Sequence, residues 1–150
     1  MVGQNADPNR TAYTITIDAS EGVTTGISAL DRSLTCRKLA DPQAQRDTFR
    51  RPGHVVPLQA REGGVRARAG HTEAAVDFCK LAGKEPVGVI AELVEDGEEV
   101  QGRAEMAGGH GMMQRDGCLA FARRYGLKVV TIEDLVRHLE ANGGGRGGKA

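Results

Sequence analysis

Thr72-Glu73-Ala74-Ala75-Val76-Asp77-Phe78-Cys79-Lys80-Leu81-Ala82-Gly83-Lys84-Glu85-Pro86-Val87-Gly88-Val89-Ile90-Ala91-Glu92-Leu93 is the stretch that decides the fold. Ala75, Val76, Cys79, Leu81 and Ala82 give its first half an apolar face at helical spacing, and Gly83 closes that helix. The apolar run that follows, Val87 to Leu93, reads as a buried strand. A helix feeding into a buried strand belongs to an α/β layered domain.

The same alternation extends outward in both directions. Upstream, Tyr13-Thr14-Ile15-Thr16-Ile17-Asp18 alternates at period two as a half-buried strand does. Ser28 with Asp31 three residues later is a capping signature, and Leu30, Leu34 and Leu39 continue it into a helix over about Ala29 to Ala40, stopped by Asp41-Pro42. Pro52-Gly53 then turns into the apolar run His54 to Leu58, a short strand. Downstream, residues 94–111 are acidic and glycine-rich and read as a long exposed loop. Asp116 to Tyr125 is a helix closed by Gly126, and Lys128 to Thr131 is a strand. Thr131 and Asp134 cap a last helix through about Ala141. The reading is one domain over 1–141 and a flexible tail at 142–150, with no internal repeat.

Composition narrows the function classes. The chain has 150 residues, 20 basic and 20 acidic, and a formal net charge of zero, so no global field draws it to nucleic acid or an anionic membrane. Without Trp, and with only three Phe and two Tyr, its core must be built from Val, Leu, Ile and Ala. Fifteen of the 20 basic residues are Arg, whose fork of donors suits phosphate and carboxylate, although GC-rich coding produces the same excess. Cys36, Cys79 and Cys118 are odd in number and far apart and read as reduced, mostly buried thiols. No signal pattern opens the sequence and no window reaches membrane-spanning length. The expectation is a soluble cytoplasmic protein with no nucleic-acid and no membrane partner.

Arg68-Ala69-Gly70-His71-Thr72 gathers a guanidinium, an imidazole and a hydroxyl where a loop becomes a helix. Free amides at such a helix start attract anions, so the group suits a phosphorylated, metal-bound ligand; the same residues also read as an ordinary helix start capped by Thr72. Thr24-Thr25-Gly26, ahead of the first helix, has the hydroxyls of an anion-binding turn and marks Thr25, beside a plainer reading with Ser28 as cap and Asp31-Arg32 as a surface pair. Glu92 ends a run expected to be buried, and burial would raise its carboxyl toward an acid/base value; the alternative is a solvated strand end. His54 follows a rigid Pro-Gly turn suited to holding an imidazole at a fixed angle; the alternative is a hydrogen-bonded core or rim residue at the start of a strand.

Three further segments, Glu21-Gly22-Val23-Thr24-Thr25-Gly26-Ile27-Ser28-Ala29-Leu30-Asp31-Arg32, Arg51-Pro52-Gly53-His54-Val55-Val56-Pro57-Leu58 and Gly88-Val89-Ile90-Ala91-Glu92-Leu93, join the Arg68 motif in a fixed order. Together they resemble the 3,4-dihydroxy-2-butanone 4-phosphate synthase family of riboflavin biosynthesis over about Met1 to His138. The resemblance implies a three-layer αβα sandwich, a homodimer with sites at the subunit interface, and a lyase. Its reaction converts D-ribulose 5-phosphate to L-3,4-dihydroxybutan-2-one 4-phosphate and formate with magnesium, or manganese in its place. It implies Glu92 and His54 as catalytic residues, His71 as the metal ligand, and Arg68, Ala69, Gly70, His71, Thr72 and Glu92 as substrate-binding residues; Thr25, from the chemistry of its turn, is a further candidate for a phosphate contact.

The resemblance also implies an N-terminally truncated chain, because family members carry an upstream segment with a metal-binding glutamate. A fusion to GTP cyclohydrolase II is not expected. The alternative expectation is a noncatalytic sugar-phosphate-binding or dimerisation module.

Overall fold

The computed structural model describes residues 4–95 and 97–143. Helices and short strands alternate in the order β1 (Ile17–Ala19), α1 (Ala29–Leu39), β2 (Phe49–Val55), α2 (His71–Leu81), β3 (Val94–Glu95), β4 (Glu98–Glu99), β5 (Met106–Ala107), β6 (Gly111–Met112), α3 (Arg115–Tyr125) and α4 (Ile132–Gly143). The strands form three two-stranded antiparallel ladders, β1 with β2, β3 with β6 and β4 with β5. This is an α/β chain, as the alternation indicates. Among the described residues no helix is long and apolar enough to cross a membrane.

The helices begin and end close to where their caps place them. Ser28 Oγ accepts the Asp31 amide at 3.1 Å and opens α1. Thr131 and Asp134 exchange amide and side-chain bonds of 3.0 and 3.1 Å ahead of α4. Gly126, at φ 65°, closes α3 in the left-handed conformation. In α2 the cap is Gly70, and Thr72 is the second helical residue rather than the cap. Helix α4 runs two residues past the expected Ala141, and the tail expected beyond it lies, over 144–150, outside the described residues.

The strands depart further from expectation. The run Tyr13 to Asp18 is a strand only from Ile17, with an isolated bridge from Tyr13 to Leu58. The second strand starts at Phe49 and ends at Val55, where Pro57, lacking an amide, stands just beyond. The pairing passes from Ile17 with Val55 to Asp18 with Arg50, so Arg51-Pro52-Gly53-His54 is accommodated in a bulge. Val87 to Leu93 and Lys128 to Thr131 form no strand, because a strand exists through a ladder and neither segment has one among the described residues, the bond from the Met113 amide to the Leu93 carbonyl at 2.9 Å standing alone. Val89, Ile90, Val129 and Val130 are accordingly exposed. Within the expected loop at 94–111 the four short strands β3 to β6 form, exposed as foreseen. The three cysteines are free thiols and half-buried.

A small apolar core sets the position of the loop before α2. Val65, Ala74 and Leu135 are buried together, with Ile132, Val136 and Leu139 of α4 packed against them at helical spacing. Val65 lies in a 3₁₀ turn, Gly64–Arg66, and its amide donates to the buried Asp77 carboxylate of α2 at 2.8 Å. Gly64 has φ +62°, and a Cβ there would come within 2.2 Å of Asp77 Oδ2. Gly83 shares the left-handed backbone, at φ +64°, with open space around it. Gly83→Ala should therefore cost only the backbone strain of about 1–2 kcal/mol, while Gly64→Ala should cost more by displacing a buried carboxylate. Urea midpoints of the two variants check this; equal losses would show that the seat of Asp77 contributes nothing.

Candidate functional site

Two clusters of polar side chains stand where the sequence placed chemistry. The first is built on the bulge between β1 and β2. Asp18, 1% exposed, accepts the His54 amide on Oδ1 at 2.9 Å, and on Oδ2 it accepts His54 Nδ1 at 2.8 Å and Arg50 Nη2 at 3.2 Å. With Nδ1–H donating to the carboxylate, the neutral imidazole carries its lone pair on Nε2. The His54 side chain is 41% exposed.

Arg50 also donates to the Thr25 carbonyl at 2.8 Å, which joins the Thr24-Thr25-Gly26 turn to the Asp18–His54 pair. The turn is fixed from the other side by Asp31, which accepts Thr24 Oγ1 at 2.7 Å and the amides of Thr24 and Gly26 at 3.2 and 3.0 Å. Asp31 is thus buried rather than a surface partner of Arg32. The Thr25 side chain itself is exposed.

The second cluster opens α2. Arg68 Nη1 donates to Glu73 Oε2 at 2.6 Å, and Nη2 donates to the Asn9 carbonyl at 3.0 Å. Ala69 and Gly70 lead into the helix, with His71 exposed and Thr72 half-buried in its first turn. The first intrahelical bond runs from the Ala74 amide to the Gly70 carbonyl at 3.0 Å, and Gly70 offers no side-chain cap; the Glu73 amide in the first turn is taken up by its own buried carboxylate. Among the described residues no hydrogen bond joins the two clusters.

Glu92 is placed differently from its expectation. It is exposed in the irregular segment 87–93 and makes no side-chain hydrogen bond or ion pair among the described residues, because the strand meant to bury it does not form. Among those residues no group of three or more His, Cys, Asp or Glu side chains converges on a metal position. His71 alone is a poor match for a hard cation that prefers oxygen, so these residues do not by themselves make a magnesium site. Open clefts of about 430 and 590 Å³ lie around Gln45, Arg46, Phe49 and Arg51, and none of the expected site residues lines them.

Four residues of the clusters escaped the sequence reading as site residues: Asp18, Asp31, Arg50 and Glu73. Period two put Asp18 with Thr14 and Thr16 on a polar face, and its burial depends on His54, 36 positions away. Glu73 stood within reach of detection, since an acid in the first turn beside Arg68 is a local ion-pair signal.

Burial alone would raise the Asp18 carboxyl. The amide and imidazole of His54 and the guanidinium of Arg50 outweigh it and hold the group below its ordinary 3.8. Glu73 shows the same balance, burial opposed by the Arg61 amide and the Arg68 guanidinium, with a net lowering from 4.5. For Asp31 the Thr24 hydroxyl is the largest influence and lowers the carboxyl, against burial and with the Thr24 and Gly26 amides.

A family model described as 3,4-dihydroxy-2-butanone 4-phosphate synthase matches residues 1–138. The synthase of that name from Pyricularia oryzae is 61% identical over 145 residues, covering 96% of this chain and 62% of the relative. The riboflavin biosynthesis protein RibBA of Mycobacterium tuberculosis is 48% identical over 91% of this chain and 30% of its own length. A crystal structure of a 3,4-dihydroxy-2-butanone 4-phosphate synthase in complex with two magnesium ions superposes with a TM-score of 0.91 at 61% identity, covering 96% of this chain and 67% of that one. The chain thus spans about six tenths of the length of the curated synthase it matches.

The lowered carboxyls make acid the condition that discriminates. Stability contributed by Asp18, Asp31 and Glu73 is present above their ordinary values of 3.8, 3.8 and 4.5 and is lost as pH falls through the lower folded values. Urea midpoints should hold level from about pH 7 to about pH 5 and then fall. Asp18→Asn should lower the neutral plateau and flatten the acid limb. A wild-type midpoint unchanged through the acid range would contradict the assignment.

Proposed function

The chain belongs to the 3,4-dihydroxy-2-butanone 4-phosphate synthase family, and on that premise we propose that the protein converts D-ribulose 5-phosphate to L-3,4-dihydroxybutan-2-one 4-phosphate and formate in riboflavin biosynthesis. The observation that carries the proposal is the Asp18–His54 pair, a carboxylate-oriented imidazole, in a chain that the family model matches over 1–138. In this reading the cofactor is magnesium, the ion held by a solved relative, with manganese as the alternative. The protein acts as a cytoplasmic homodimer.

Arg68 and the N-terminus of α2 bind the phosphate, with the Thr72 hydroxyl as a directional donor. The Thr25 hydroxyl is a further contact from the turn held by Arg50. Asp18 fixes the tautomer and angle of His54, so that Nε2 takes a proton from the substrate and returns it later. Glu92 is the second acid/base group. His71, exposed in the first turn of α2, would be the protein's ligand to the metal, with oxygens of the substrate and water supplying what one imidazole cannot.

A second reading, a noncatalytic sugar-phosphate-binding module, is favoured by the exposure of Glu92 and by the lack of a convergent metal cage among the described residues. Formate release from ribulose 5-phosphate by the purified chain with magnesium separates the two. Catalysis predicts release that falls by at least about a hundredfold in His54→Asn and in Glu92→Gln, the scale of a lost acid/base group. A folded chain that binds ribulose 5-phosphate and releases no formate would establish the binding module instead.

A further inference from the structure

Glu73 is a carboxylate at 1% exposure with both oxygens engaged. Oε1 accepts the Arg61 amide at 3.0 Å and Oε2 accepts Arg68 Nη1 at 2.6 Å. Arg68 is held from its other end as well, Nη2 donating to the Asn9 carbonyl at 3.0 Å and reaching Thr11 Oγ1 at 3.4 Å. A guanidinium has five N–H donors, and these bonds leave the Nε hydrogen and one on Nη1 without a partner among the described residues.

Gly70 supplies an independent observation. Its φ of −114° and ψ of 157° suit any residue, so backbone conformation does not require glycine there. A Cβ at 70 would instead fall 2.3 Å from Arg68 Nη1 and 2.5 Å from Glu73 Oε2. The ion pair lies directly across the α carbon of Gly70, the residue that caps α2.

Resting on the reading of Arg68 as a phosphate donor, we infer that Glu73 is the positioning residue of that donor, holding the guanidinium rigid so that its free hydrogens meet the phosphate without loss of rotamer freedom on binding. Electrostatics and positioning oppose each other here, which makes the inference decidable by sign. A buried negative charge next to a phosphate repels it, so a purely electrostatic account has the neutral variant binding phosphate more tightly. Arginine carries a large rotamer entropy, and an arm fixed during folding does not pay it again on binding. On the positioning account the neutral variant binds more weakly.

The test is calorimetric titration of inorganic phosphate and of D-ribulose 5-phosphate into the full chain and its Glu73→Gln, Gly70→Ala, Arg68→Gln and Arg68→Gln/Glu73→Gln variants. Glu73→Gln and Arg68→Gln should each weaken binding about tenfold, the scale of one charged hydrogen bond, and the double variant should be no weaker than Arg68→Gln. Gly70→Ala keeps both charges and should weaken binding by crowding the bridge, which carries the test if Glu73→Gln does not fold. The Arg68 guanidinium N–H signal in NMR should be distinct and slowly exchanging in the unmodified chain and should collapse to the solvent-exposed position in Glu73→Gln and Gly70→Ala. Equal or tighter binding by Glu73→Gln, or losses that multiply in the double variant, would overturn the inference. Unchanged binding by Arg68→Gln would instead sink the reading of Arg68 on which it rests.

Discussion

The carboxylate of Asp18 is the group on which the first cluster depends. Three donors from β2 end on it, the His54 amide at the bulge, His54 Nδ1 and the Arg50 guanidinium, and without them this buried carboxylate would stand unmatched. The dependence continues in a ring. Arg50 reaches from Asp18 to the Thr25 carbonyl, Asp31 holds the same turn, and Thr35 Oγ1 donates to the Asp31 carbonyl and accepts the Ala19 amide next to Asp18. Strand β2, the turn, α1 and β1 are closed into one circuit of hydrogen bonds. A typical bond adds about 1 kcal/mol net, but orphaning a buried charged acceptor costs more, so the circuit is held chiefly by the penalty for opening it.

The same device recurs at α2, where Glu73 takes the Arg61 amide and Asp77 takes the Val65 amide. In each case a helix carboxylate, paid out to the backbone of the preceding loop, fixes a segment that has few apolar side chains to pin it. The apolar core around Val65, Ala74 and Leu135 is small, as a chain without Trp implies. Polar stapling therefore orders the candidate site residues, and aliphatic packing orders the helices behind them.

The helices were legible because their signals are local: Ser28 and Asp31, Thr131 and Asp134, and Gly126 each act within a few residues. Strands were less so, since a strand depends on a partner that may be distant in sequence. Periodicity alone gave Val87 to Leu93 the look of a buried strand, and its residues stand exposed without one. The motif Arg68 to Thr72 was readable as a unit, but the acids that hold both clusters in shape were not. Asp18 and Asp31 look like surface residues until the fold brings their donors to them.

The unpaired segments at 87–93 and 127–130 have a colloidal consequence. Each offers exposed Val side chains, joined by Ile90 in the first and Leu127 in the second, along backbone that forms no ladder, the arrangement of an edge strand that templates edge-to-edge growth. Glu92 in the first and Lys128 in the second interrupt those runs with charge, and a charge inside an apolar edge is what opposes such growth. The concentration at which this chain stays dispersed thus depends on two charged side chains, Glu92 and Lys128, as well as on its fold.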